Sequence, residues 1–148
     1  MNSNSSKSGL FLMELIMSIL FFTLATTVCI QMFVKSHTLS EESVTLNHAV
    51  IICQSLADSF YGYDSDMNQI AGSYENAKYN ESEQEICLYY DENFISEETS
   101  SATGFKVTGS LTEKEPNLYV FDISFIKNID NNVIYSLSPV LYKQHSGK

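Results

Sequence analysis

The stretch LFLMELIMSILFFTLATTVCIQMFV, residues 10–34, is an apolar run of about 25 residues in which the one charged residue is Glu14. A helix of this length crosses roughly 30 Å of hydrocarbon. The polar sequence MNSNSSKSG precedes the run with a single cation, Lys7, and Lys35 follows it. The run therefore predicts a membrane-spanning helix over residues 10–34.

Two simpler interpretations of this run are a cleaved secretory signal and a plain membrane anchor. A secretory signal has an apolar core of about 7–15 residues that ends in a small-x-small site, and it lacks an acid near its start. Here the run continues past Ala25 to Val34, and Glu14 lies near its beginning. In a plain anchor Glu14 would be accidental, yet an ionised carboxylate in the bilayer is costly unless it finds a partner or reaches the interface. Glu14 is therefore a candidate functional residue.

The string KSGLFLME, residues 7–14, resembles the cleavage and assembly motif of type IV prepilins and type II secretion pseudopilins. In that family a membrane peptidase cuts after a glycine, the new N-terminus is methylated, and the fifth mature residue is glutamate. The resemblance implies cleavage between Gly9 and Leu10, N-methylation of Leu10, and a role for Glu14 in subunit assembly within the membrane. The chain departs from the family in having Leu instead of Phe as the first mature residue. It also has Gln31 where the family often has a helix-breaking proline.

The charges of this motif have a physical interpretation as well. Cleavage after Gly9 would create a cationic amine at Leu10, one helical turn before Glu14. Two opposite charges in an apolar environment compensate each other's desolvation only when they pair closely. The amine and Glu14 could pair within one chain, or Glu14 could pair with the amine of a neighbouring subunit, and the family implies the second arrangement. Gly9 suits a protease site because its backbone enters a narrow cleft at low steric cost.

A second helical pattern follows the membrane run over residues 35–62. It contains no proline, and Gly62 is a natural stop. Too few heptads and no e/g charge pattern disfavour an independent coiled coil. We therefore expect one helix with a membrane half and an amphipathic half. The predicted apolar stripe consists of Leu39, Leu46, Val50, Cys53, Ala57 and Phe60, broadened by Val44, Ile51, Ile52 and Leu56.

The remaining residues, 63–148, predict a small head with an antiparallel sheet. Its first third is polar and irregular, and strands are expected at 86–90, 105–112, 118–126 and 133–140. The turn-like residues 128–132 predict a hairpin, with Tyr119, Phe121, Ile123 and Phe125 on one face and Val133, Tyr135 and Leu137 opposing them. A sheet of three or four strands with one apolar face needs a cover, which the helical stripe supplies. The predicted fold is α+β, with a long N-terminal helix packed on an antiparallel sheet as in pilins, and a leader over residues 1–9.

Charge and composition disfavour several other functions. The chain has 18 acidic residues against 8 Lys and no Arg, a net charge of −10, so direct nucleic-acid binding is not expected. Asp64, Asp66, Asn68 and Glu75 match four positions of a calcium loop, but Gln69 stands where the loop needs glycine. Three histidines, at 37, 48 and 145, have no clustered partners, and we expect helix-surface roles for the first two and a tail position for the third. We expect no catalytic residues, cofactor or metal.

The cysteines and one sequon complete the candidate sites. Cys29 lies in the membrane run as a small apolar residue. Cys53 and Cys87 lie outside the membrane in the predicted topology, and either a helix-to-sheet disulfide or two buried free thiols fits the sequence. Asn80 begins an Asn-Glu-Ser glycosylation sequon, which carries little weight because the family resemblance implies a prokaryote.

The resemblance implies a structural subunit, a minor pilin or pseudopilin. Its partners would be a prepilin peptidase, other pilins or pseudopilins, and an assembly platform in the membrane. The protein would be held in the cytoplasmic membrane by a single pass with its head outside, and would then enter a cell-surface or periplasmic fibre. The alternative is a single-pass membrane-anchored extracytoplasmic binding protein that forms no fibre. Pilus, secretion and DNA-uptake machines all remain open.

Overall fold

The computed structural model describes residues 3–143, with side chains from Lys7 onward, so Met1, Asn2 and the predicted tail position of His145 lie outside the described residues. Helix α1 runs from Ser3 to Gly62 and ends at the predicted glycine. The chain forms two compact units, Met1–Ser43 and Val44–Lys148, and α1 contributes residues to both.

The first unit consists of α1 as far as Ser43. The helix is long and apolar enough to cross a membrane, by length and composition. Its hydroxyl groups at Ser18, Thr23, Thr26 and Thr27 each donate a hydrogen bond to the carbonyl four residues earlier. Because these donors are satisfied within the helix, the four polar residues do not present unpaired hydroxyl protons to lipid.

The second unit contains one antiparallel sheet and a short helix, α2, at Met67–Gly72. The strands are β1 Lys78–Asn80, β2 Glu85–Tyr90, β3 Ser96–Glu97, β4 Phe105–Glu115, β5 Leu118–Lys127, β6 Asn132–Leu137 and β7 Val140–Tyr142. Strands β2, β4 and β5 form the centre of the sheet. Each outer edge consists of two strands that pair with one central strand: β1 and β3 with β2, and β6 and β7 with β5.

The core of the second unit lies between the sheet and the last turns of α1. Phe60 of the helix packs on Phe121 of β5, with ring centroids 5.3 Å apart. Burial on this helical face recurs at three- and four-residue steps, as expected for one side of an α-helix. This packing confirms the predicted α+β fold. The buried helix residues are Ala49, Cys53, Leu56, Ala57 and Phe60, and the buried strand residues around them include Ile86, Leu88, Val107, Phe121, Ile123 and Phe125.

The predicted apolar stripe of the helix was too long at its N-terminal end. The buried face begins at Ala49, whereas Leu39, Val44, Leu46 and Ile51 are exposed. At 100° per residue, Val44 and Ile51 point away from the buried face. Leu46 is nearer to that face but lies one turn before the helix reaches the core. The spacing of apolar residues shows which side of the helix is apolar, but not how far along that side the sheet covers it.

The predicted sheet of three or four strands was also incomplete, because the described residues form a sheet of seven strands. The extra strands are two or three residues long, too short for an alternating pattern. The single strand predicted over 133–140 is divided into β6 and β7, since Pro139 has no N–H to donate to a ladder. The carbonyl of Pro139 still accepts a hydrogen bond from the Phe121 N–H at 3.0 Å.

The pairing of the predicted hairpin is confirmed for two of the three opposing residues. Leu137 pairs with Ile123 and Tyr135 with Phe125, but a bulge follows, so that Val133 pairs with Ile126. Val133 is therefore exposed instead of covering the apolar face. A bulge inserts one residue and reverses the alternation beyond it.

Helix α2 lies where the sequence predicted an irregular polar segment. Asp66 caps it, because its carboxylate accepts the N–H groups of Asn68 and Gln69. Met67 and Ile70 of this helix are buried. The Asp66 carboxylate of the rejected calcium loop is thus occupied as a helix cap.

Candidate functional site

The segment that carries the prepilin-like motif is continuous helix in the structure. Gly9 lies inside α1, and a Cβ built there would meet no heavy atom within 4 Å. A glycine within a helix destabilises it by roughly 1 kcal/mol relative to alanine, so local unwinding at this bond is less costly than at its neighbours. The position is sterically open, and a side chain added there would not disturb the fold.

Leu10 and Glu14 lie on the same side of α1. They are four residues apart, the spacing at which side chains are neighbours on a helix surface. Both are exposed, and within residues 7–143 the Glu14 carboxylate has no ion-pair partner. The structure thus places Leu10 one helical turn before Glu14.

Cys53 and Cys87, the two cysteines outside the apolar run, are not paired with each other in the structure. Cys53 is buried on the helix face that packs on the sheet. Cys87 lies on β2 between Ile86 and Leu88, which are buried in the core. Because successive strand residues point to opposite faces, the Cys87 side chain lies on the other side of the sheet. Both thiols are free, as is that of Cys29.

Neither of these thiols has the properties of a nucleophile. Burial raises the pKa of Cys53 to about 11. Burial also raises the pKa of Cys87, and the charge and hydrogen bond of Glu85 act in the same direction, while Lys106 opposes them. The thiolate is the reactive form of cysteine, so both groups are protonated and unreactive near neutral pH.

An aromatic stack near the start of the buried helix face was not predicted. The ring of His48 stacks on Phe94 with centroids 4.1 Å apart, and Phe94 stacks on Phe105 at 5.0 Å. His48 is therefore a packing residue, not a residue of the open helix surface. His37 does lie on that surface, where its Nδ1 is 3.4 Å from the carboxylate of Glu41.

The loop that presents Phe94 is organised by Asp91. One Asp91 carboxylate oxygen accepts the N–H groups of Asn93 and Ile95, each at 2.8 Å. The bond from Ile95 is the main cause that holds the pKa of Asp91 below its usual range. Phe94 has φ 63°, an uncommon conformation for an aromatic residue. The string Asp-Glu-Asn is a typical Asx-turn sequence and could have indicated the turn, although not the stack.

A groove of about 590 Å³ lies along the outer side of the helix in the second unit. Asp58 is its one acidic residue, and it contains neither histidine nor cysteine. The hydroxyls of Ser55 and Ser59 are each 2.9 Å from the Tyr74 hydroxyl. Such a surface assembles no acid–base pair or activated nucleophile. The residues that line the groove are Ile51, Gln54, Ser55, Asp58, Ser59, Gly62 and Tyr63.

Metal-binding chemistry has no candidate centre in the described part of the chain, where no three His, Cys, Asp or Glu residues are grouped to hold an ion. No protein-family model, curated protein or solved structure matches this chain. The functional proposal therefore depends on the motif, the helix that contains it and the packing of the sheet.

Proposed function

We propose that this protein is a structural subunit, a minor pilin or pseudopilin, of a type IV pilus or a type II secretion-like fibre. The observation that carries the proposal is the arrangement of Gly9, Leu10 and Glu14 where a short polar segment with Lys7 meets a long apolar helix. A prepilin peptidase would cut after Gly9. The mature chain would then begin at Leu10 and assemble through its N-terminal helix.

The geometry of α1 supports this role. Leu10 and Glu14 share one side of the helix, and Glu14 is the one acid among residues 10–34. An intramembrane acid is costly and is normally retained for a function. A cationic N-terminus from a neighbouring subunit would neutralise Glu14 in the apolar interior of a fibre, which would make assembly depend on this residue.

The second unit supports the proposal through its architecture. The last turns of α1 cover an antiparallel sheet, so one helix serves both the apolar segment and the folded head. In this proposal the subunit waits in the cytoplasmic membrane with its head outside. It then joins other pilins or pseudopilins through an assembly platform.

The alternative function is that of a single-pass anchored binding protein that forms no fibre. The groove along residues 51–63 offers a surface for such a role. An anchor does not need an acid in its span, however, and Glu14 favours the fibre subunit.

The test is the variant Glu14→Val, with Ser18→Val as its matched control one turn further along the helix. Both changes replace an exposed polar side chain of the span by valine, but only the first removes the charge. An unpaired buried charge costs about 3 to 5 kcal/mol, enough to weaken an association by a factor of roughly one hundred to several thousand. Native Cys29, exposed on the span, provides a crosslinking position between adjacent helices.

We expect Glu14→Val to be processed after Gly9 and to remain in the membrane, but to lose the Cys29-dependent crosslinks that wild type and Ser18→Val form with neighbouring subunits. Crosslinking of Glu14→Val at the wild-type level would refute the assembly role of Glu14. Loss of crosslinks in both variants would show that the helix surface, and not the charge, is responsible.

A further inference from the structure

The end of the second unit at which α1 enters it has its own set of loops, which we call the entry end. It comprises residues 44–48 of the helix, the turn 128–131 and the segment 91–104, which we call the loop although it contains the two-residue strand β3. His48 lies on the helix and stacks on Phe94 of the loop. The Asn128 side chain joins the turn to the loop, because it donates to the Ser100 hydroxyl at 3.1 Å and to the Ser101 carbonyl at 2.7 Å.

The entry end exposes aliphatic side chains at its loop tips. Ile95 is 64% exposed and Ile129 is 65% exposed, although each is held by an ordered turn. The Asp91 carboxylate accepts the N–H of Ile95. At the opposite end, the large exposed side chains near the last turn of α1 are mainly tyrosines, Tyr61, Tyr63 and Tyr142. The two ends therefore differ in the chemistry they offer to a partner.

The length of chain between the apolar run and the entry end limits where that end can lie. About ten residues separate Val34, the last residue of the run, from Val44. They rise about 15 Å as a helix and about 35 Å at most if extended. The chain therefore tethers Val44, the first residue of the entry end, within this distance of the end of the apolar run.

We propose that Ile95 and Ile129 insert into the interfacial region of the bilayer that the apolar helix crosses. Insertion would remove these two exposed aliphatic side chains from water. Because the chain is already anchored by its span, both residues would bind the same membrane as part of one molecule, without a separate association step. The proposal depends on the membrane span alone and is independent of cleavage or fibre assembly.

The charges of the entry end indicate which surface fits it. Five acidic residues lie within four positions of Ile95 or Ile129 in the sequence, against one basic residue, Lys127; they are Asp91, Glu92, Glu97, Glu98 and Asp130. Anionic lipids would repel these loops, so the expected surface is a bilayer of zwitterionic lipid. The same charges disfavour a second copy of this chain as the occupant, since two acidic ends would face each other.

The test places one environment-sensitive dye on the full-length chain in vesicles. The background variant carries Cys29→Ser and Cys87→Ser, and it keeps Cys53 because that thiol is buried. One cysteine for labelling is then added by Ile95→Cys, Ile129→Cys or Tyr142→Cys. Tyr142 is the matched control because it is also 64% exposed but lies at the far end. A dye on native Cys29, with Cys87→Ser, is the reference for the membrane interior. The vesicles contain phosphatidylcholine with a lipid-linked quencher, with or without phosphatidylglycerol.

We expect emission from positions 95 and 129 to shift to shorter wavelength and to be quenched several-fold more than emission from position 142. Added phosphatidylglycerol should reduce the difference. Equal quenching at 95, 129 and 142 would refute the proposal, as would a shift at 95 and 129 that depends on protein density instead of quencher lipid, which would indicate a second copy. Absence of quenching at Cys29 would refute it too, because the span would not be in the bilayer.

Discussion

Cys53 shows how one buried side chain contributes to the stability of the second unit. Its thiol is fully buried on the helix face that packs on the sheet, and burial raises its pKa to about 11 from a usual value of 9.0. The folded protein therefore retains this proton at pH values where the unfolded chain has lost it. Stability from this group is intact below about pH 9 and decreases as the pH rises towards 11.

We predict that the free energy of unfolding of the full-length chain in detergent falls between pH 8 and pH 10.5 by on the order of 2 kcal/mol more than in Cys53→Ala. Denaturant unfolding at the two pH values measures the difference. Burial also raises the pKa of Tyr90, so both proteins lose some stability and only their difference reports on Cys53. Cys29→Ala is the control and should behave as wild type. An equal pH dependence in Cys53→Ala would contradict the assignment.

The sequence predicted some residues well and others not at all, for physical reasons. Cys53 was correctly placed on the helix face that packs on the sheet, because a local period determines that face. The position of Cys87 on the side of the sheet away from the core follows from the alternation with Ile86 and Leu88. The contact of His48 with Phe94 joins residues 46 positions apart, and no local pattern encodes such a pair.

Among the elements, helix α1 was the most predictable, and its error lay in the extent of its buried face. The end at Gly62 is confirmed, but burial begins at Ala49 and not at Leu39. A helical period shows which side of a helix is apolar, while the partner determines how much of that side is covered. The short strands β1, β3 and β7 were missed because they form against a neighbouring strand and not from their own two or three residues.

Leucines 46 and 56 provide a direct test of this corrected face. Leu56 is 1% exposed, whereas Leu46 is 44% exposed. We predict that Leu56→Ala lowers the free energy of unfolding by about 2 to 5 kcal/mol, because it removes buried apolar atoms and leaves a cavity. Leu46→Ala should cost less than about 1 kcal/mol. Thermal or denaturant unfolding measures the two losses of stability. Equal losses would mean that the buried face of the helix extends back to Leu46, as the sequence predicted.

The whole molecule combines an exposed apolar helix with a unit that has its own core. Among the described residues, the second unit, Val44–Lys148, contains the sheet and every residue of α1 that is buried. We predict that a chain starting at Val44 is monomeric and unfolds cooperatively. One starting at Tyr63 should aggregate, because it exposes the sheet face that includes Phe121 and Phe125. Size-exclusion chromatography and thermal unfolding compare the two, and similar behaviour would contradict the packing of helix on sheet.

At this scale the fold class could be predicted because two strong periodic patterns, a long apolar helix and alternating strands, leave few ways to bury their apolar faces. The surface chemistry of the entry end could not, since the segments that contain Ile95 and Ile129 are joined by the long-range pairing of Phe105 with Lys127. The candidate site formed by Gly9, Leu10 and Glu14 could be identified from the sequence because its residues lie within six consecutive positions.

The central claim, that this chain is a processed fibre subunit, is tested most directly by the mass of its N-terminus in cells that contain a prepilin peptidase. Wild type should begin at Leu10, with or without one added methyl group. Gly9→Val should keep residues 1–9, because a side chain at the cleavage position blocks the peptidase while the fold has room for it. Ala25→Val, which also introduces valine but lies within the span, should be processed as wild type. A wild-type chain that retains its first nine residues, or that begins near residue 28, would contradict the account.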